Sequence, residues 1–113
     1  MAKVEIVRLL FEEIQKKFKG EAHKVIDLIE SLENSPHKGK TLGNVGRIVI
    51  KELRYKSFRF YFITDGYKLK IMNQESLVDL LIRFVKMSDK KDQQQTINEI
   101  RKILLNFGPA GFD

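Results

Sequence analysis

Apolar positions recur with two different periods along this chain, and the change of period divides it into three parts. Leu9, Leu10, Ile14 and Phe18 stand at helical spacing, with Glu12, Glu13, Lys16 and Lys17 between them. Gly20 interrupts the pattern. Ala22, Val25, Ile26, Ile29 and Leu32 then form a second helical stripe that ends at Asn34, Ser35 and Pro36, where the residue before proline is pushed out of the helical region. The spacing predicts an antiparallel helical hairpin. Residues 4–7, just before it, read either as a short first strand or as the first helical turn.

Residues 36–46, PHKGKTLGNVG, carry three glycines and no period, and are expected to form a loop. From Arg47 the period becomes two. Ile48 and Ile50 alternate with Val49 and Lys51, and Phe58, Phe60 and Phe62 alternate with Arg59 and Tyr61. Asp65-Gly66 is a hairpin signal, because a type I′ turn needs positive φ at both central positions. After it Leu69 and Ile71 alternate with Lys68 and Lys70, and a looser turn at 73–76 leads to LVDLLIRFVKM, apolar on both faces and so expected as a central strand. Past Ser88 a helical stripe returns with Ile97, Ile100, Ile103, Leu104 and Phe107. Ser88 or Asp89 is expected to cap its start, and Gly108-Pro109 to end it.

The expected class is α+β: one domain, 1–113, with an N-terminal helical hairpin and a C-terminal helix packed on one face of a curved antiparallel sheet of about four strands. Apolar residues make up 42% of the 113, enough for one core of ordinary size. No apolar run approaches the roughly 18 residues that span a bilayer. The N-terminal apolar stretch is broken by Arg8, Glu12 and Glu13, unlike a secretory signal. With no cysteine in the chain, the expectation is a cytoplasmic protein without disulfides or thiolate metal sites.

Charge sharpens the picture. The net charge is +6, yet residues 1–37 and 92–113 are each slightly acidic, while residues 38–91 carry thirteen basic against five acidic side chains. A surplus confined to the predicted sheet points to an anionic partner, nucleic acid or acidic protein. Catalytic motifs are missing. His23 and His37 are isolated, with no metal-ligand spacing, and GKTLGNVG follows a proline-ended helix rather than the strand a phosphate loop requires. No metal or other cofactor is expected. What remains is the sheet. Arg59 and Tyr61, with Lys68 and Lys70 across the turn, are expected on an open face opposite the three phenylalanines. There cations would hold phosphates and rings would stack on unpaired bases.

The order and wording of these segments resemble the RelE/ParE toxin superfamily of type II toxin–antitoxin systems, closer to its HigB-like branch. SLENSPHKGKTLGNVG matches at the hairpin end and loop, IKELRYKSFRFYF at a strand pair, and FVKMSDK at the last strand leading into a helix. The resemblance implies a metal-independent endoribonuclease that promotes attack of a ribose 2′-OH on the adjacent phosphate of messenger RNA on the ribosome. It implies translation inhibition and a cognate antitoxin protein as partner, with no membrane and no small-molecule cofactor. It carries over Arg54, Arg59 and Lys86, with Arg83 as a fourth, as catalytic residues. Arg47, Lys51, Lys56, Lys68, Lys70 and Tyr61 would bind RNA. Two departures stand out. Ile50 and Glu52 occupy positions where potent RelE-type nucleases carry lysines, and Met87, Ser88 and Asp89 offer no ring where those enzymes place a tyrosine. A ParE-like protein that inhibits a topoisomerase, or a non-toxic nucleic-acid-binding member, is the alternative.

Overall fold

The computed structural model describes residues 2–71 and 79–112. The class is α+β, built on a five-stranded sheet. Strand β1 (Lys3–Ile6) leads into α1 (Arg8–Phe18), a 3-10 turn (Lys19–Glu21) and α2 (Ala22–Glu30). Strands β2 (Lys40–Val45), β3 (Ile48–Tyr55) and β4 (Phe58–Asp65) follow, then a short helix α3 (Gly66–Ile71). Strand β5 (Leu81–Asp89), helix α4 (Gln93–Phe107) and a 3-10 turn (Pro109–Phe112) come last among the described residues. The sheet order is β1-β5-β4-β3-β2. All pairings are antiparallel except β1 with β5, which run parallel from Lys3↔Leu81 to Ile6↔Phe84.

The two faces of the sheet carry different helices. In the β3–β4 register Leu53 opposes Phe60 and Tyr55 opposes Phe58. These side chains meet the helical hairpin: Phe18 of α1 lies 5.7 Å from Tyr55, 5.2 Å from Phe58 and 5.9 Å from Phe60, ring centre to ring centre. Leu10, Ile14, Val25 and Ile29 complete this core with the fully buried Phe60, Phe62 and Phe84. Each such ring contributes roughly 1.5–3 kcal/mol through its burial. Residues one step along the strands point the other way. There Glu52 faces Tyr61, and α4 covers them, burying Ile97, Ile100 and Leu104. Helices therefore pack on both faces, not on one as expected.

Three other expectations are corrected. The glycine-rich segment is not all loop: Lys40–Val45 is an edge strand paired with β3, with a bulge between Thr41 and Gly43. Asp65-Gly66 does not turn a hairpin. The Asp65 Oδ1 atom accepts hydrogen bonds from the backbone N–H groups of Tyr67 (3.0 Å) and Lys68 (3.1 Å), which caps a helix. Lys68 and Lys70 thus lie on α3, off the sheet. The true hairpin turn is Lys56-Ser57, between β3 and β4, with Lys56 at φ 54°. Finally, Asp92, not Ser88 or Asp89, sits at the start of α4, while Asp89 accepts a hydrogen bond from the Asp92 N–H at 2.9 Å. The expected turn at 73–76 lies outside the described residues.

Residues 4–7 resolve in favour of the strand: Lys3–Ile6 is β1, and it adds the fifth, parallel member to the sheet.

Candidate nucleic-acid interface

The four carried-over residues do share one face. Arg54 and Arg59 are directly opposed across β3 and β4, Lys86 opposes Tyr61, and Arg83 opposes Ile63. That face is not open, because α4 lies across it. The Arg59 side chain keeps only 7% of its surface, and Tyr61 is fully buried. Arg83 keeps 15%; its Nη1 donates to the Pro109 carbonyl at 2.9 Å and its Nε stands 3.3 Å from the Glu5 carboxylate. Lys86 is about one-third exposed, 3.8 Å from Glu99 of α4. Arg54 differs, with 57% of its side chain in solvent.

Glu52 organises this end of the sheet. Its carboxylate is buried, 3.6 Å from Arg54 Nε and 3.9 Å from Arg59 Nε, and its Oε2 accepts a hydrogen bond from Gln93 of α4 at 3.4 Å. Arg59 Nη1 donates to the Ser57 carbonyl at 3.2 Å. A buried guanidinium without a carboxylate would carry a desolvation cost of several kcal/mol, so Glu52 neutralises Arg59. The same carboxylate is a looser ion-pair partner of the exposed Arg54, 3.6 Å from its Nε with no hydrogen bond between them. The sequence marked Glu52 as a missing cation; its burial explains why a carboxylate is needed there.

Tyr61 is a structural member of the same face. Its hydroxyl is 2.7 Å from Ser88 Oγ, which in turn bonds the Asp89 carbonyl at 2.9 Å. Burial pushes the phenol pKa up, against the opposing hydrogen bond from Ser88. The ring cannot stack on a base, and the phenol stays protonated at neutral pH. The cavity beside Ser88, about 200 Å³, is lined by Glu13, Asp89 and Asp92 among others. Burial raises the Glu13 pKa, with Lys86 and Lys17 opposing. This acidic pocket is unsuited to phosphate.

The remaining expected RNA-binding cations scatter. Lys51 lies on the hairpin face, buried, with Nζ donating to the His37 carbonyl at 3.0 Å and 5.8 Å above the Phe62 ring; burial lowers its pKa. Lys56 bonds the Glu21 carboxylate at 3.0 Å, which raises its own pKa. Arg47 pairs with Asp65 at 3.0 Å and stacks over the Tyr67 ring at 4.8 Å. Lys90 and Lys91, not singled out in the sequence, are exposed just after Asp89, which opposes Phe58; they therefore share the Arg54 end of the sheet. Their signal was the charge run itself. Among the described residues no group of three or more His, Asp or Glu side chains is placed to hold a metal ion.

Searches against protein-family models, curated proteins and solved structures find no match to this chain. Among the described residues no helix is long and apolar enough to cross a membrane.

Proposed function

We propose that this chain is a cytoplasmic toxin of the RelE/ParE superfamily, with a five-stranded variant of the RelE-like arrangement, acting as a ribosome-dependent messenger-RNA endoribonuclease. The observation that carries the reading is the solvent-facing Arg54 guanidinium, whose Nε stands 3.6 Å from the buried Glu52 carboxylate beside the paired Arg59. A planar guanidinium with its outer edge in solvent can offer that edge to a phosphate and stabilise charge developing on the phosphoryl oxygens. In the reaction the ribose 2′-hydroxyl gives its proton to water as its oxygen bonds to phosphorus, and the 5′-oxygen of the next nucleotide leaves and takes a proton from water. The products are a 2′,3′-cyclic phosphate and a 5′-hydroxyl end. Arg54 is the catalytic residue of this proposal. Arg59 acts from beneath it, and Lys86, the next most accessible of the four, adds positive charge on the same face. The order of strand, helical hairpin, antiparallel strands and final helix supports the family reading. The partner is a small acidic antitoxin, drawn to the basic middle segment.

Expression in a bacterial host tests this. Growth arrest with messengers cut between codon positions is expected, and Arg54→Ala should abolish both. Growth arrest with intact messengers and a DNA-damage response would instead support a ParE-like inhibitor of a topoisomerase, the reading favoured by the burial of Arg59.

A further inference from the structure

At the far end of β3 and β4 from Arg54, a separate groove lies between the edge strand β2 and helix α3. The Ile48↔Asp65 pair at this end is six residues along β3 from Arg54↔Arg59, about 20 Å at strand spacing. The groove encloses about 580 Å³ and is lined by Gly43, Gly46, Arg47, Gly66, Tyr67 and Lys70 among others. A cavity of this size falls in the range of ligand sites.

Its chemistry is specific. Tyr67 is 56% exposed, so its ring is accessible to a ligand. The Arg47 guanidinium lies 4.8 Å from its centre, and Arg47 is itself anchored by Asp65 at 3.0 Å. Asp65 in turn caps α3 through the Tyr67 N–H, so the helix, the ring and the guanidinium are set by one carboxylate. Gly46, at φ 58°, makes the two-residue turn that brings Arg47 under the ring. Lys70 is exposed one turn further along α3. A held ring beside two cations, with glycine backbone between them, suits a base and its phosphates. An acidic peptide would use the cations and leave the ring idle.

We propose that this groove binds single-stranded RNA, with the Tyr67 ring stacking one base and Arg47 and Lys70 facing the flanking phosphates. The choice of RNA as ligand rests on the nuclease reading above; the site itself is distinct. It would hold the strand at a second point, away from the Arg54 end.

The test is fluorescence anisotropy of a labelled six-nucleotide single-stranded RNA with the full chain, over a salt series. Tyr67→Ala should weaken binding about tenfold, the loss of one base–aromatic stack, with the salt slope unchanged. Tyr67→Phe should bind as the native chain does, and Lys70→Ala should lower the salt slope by about 0.7, one phosphate contact. Thermal unfolding of each variant shows that the fold is intact. No RNA binding by the native chain, native affinity in Tyr67→Ala, or equal competition by a polyglutamate peptide of matched charge overturns the proposal. The two readings fail separately. If messengers stay intact but RNA binding still depends on Tyr67, the nuclease reading falls and the groove stands. If messengers are cut while Tyr67→Ala binds as the native chain does, the groove alone falls.

Discussion

Arg54 and Arg59 face each other directly across the β3–β4 ladder, yet one is in solvent and the other is almost fully enclosed. The turn joining their strands, Lys56-Ser57, is only two residues long, so two like charges sit side by side near a sheet end. The Glu52 carboxylate beneath both makes that juxtaposition tolerable.

Glu52→Gln removes this compensation and leaves Arg59 charged in a dry site. Unfolding in urea should show a loss of about 3 kcal/mol. Adding Arg59→Met to the same chain should recover most of it, because an apolar replacement of a buried pair is often neutral. If the single variant is as stable as the native chain, Arg59 does not depend on Glu52.

Arg54→Ala should behave in the opposite way. Its side chain is exposed, so stability should change by no more than about 0.5 kcal/mol. The growth arrest proposed for the native chain should nevertheless be lost. A variant that loses toxicity by unfolding would show it in the same urea titration.

Tyr61→Phe deletes the hydroxyl bonded to Ser88 inside the domain. A cost of about 1 kcal/mol is expected, and the Tyr61→Phe, Ser88→Ala double variant should cost less than the sum of the two singles. Strict additivity would mean that the 2.7 Å contact carries no coupling.

Asp65 supplies a pH dependence. Burial opposes its ionisation, but hydrogen bonds from Lys68, Arg47 and Tyr67 and the Arg47 charge outweigh it, so the folded pKa lies below the ordinary value. A depressed carboxylate pKa stabilises the fold above the unfolded value of about 3.9, and that contribution is lost as the pH falls through the folded pKa. Asp65→Asn should keep most of the helix cap while flattening this acid limb of the stability profile. Asp65→Ala should lose about 1 kcal/mol at neutral pH. An unchanged acid limb in Asp65→Asn contradicts the assignment.

Gly39 provides a steric check on the segment before β2. It has φ 103°, and a methyl group there would stand 2.9 Å from both the Glu52 carbonyl oxygen and Phe62 Cζ. Gly39→Ala should destabilise by about 1–3 kcal/mol, read from the urea midpoint. A neutral result would mean that this segment moves away from the core at little cost.

Much of this was legible in the pattern of residues. The helical stripes of α1, α2 and α4 and the alternation of Phe58, Phe60 and Phe62 are local signals, and local signals survive folding. The misreadings have a common source. Asp65-Gly66 satisfies both a hairpin turn and a helix cap, and only the chain beyond it decides between them. The β2 strand carries Gly43, which weakened its strand signal; the guanidinium of Arg101 lies where a side chain at that position would be. Above all, the amphipathic stripe of α4 does not say which face of the sheet it will cover. That choice buried Arg59 and Tyr61 and left Arg54 as the most accessible of the four carried-over residues.

On the proposed reading, Arg54 is the catalytic group of a ribosome-dependent endoribonuclease. Purified chain added to ribosomes stalled on a defined messenger tests it most directly, with the cleaved ends identified chemically. The expected result is a cut in the ribosome-bound codon that leaves a 2′,3′-cyclic phosphate, with Arg54→Ala folded but at least a hundredfold slower, on the order of one lost charge-stabilising donor. An intact messenger, or equal cleavage by Arg54→Ala, would contradict it.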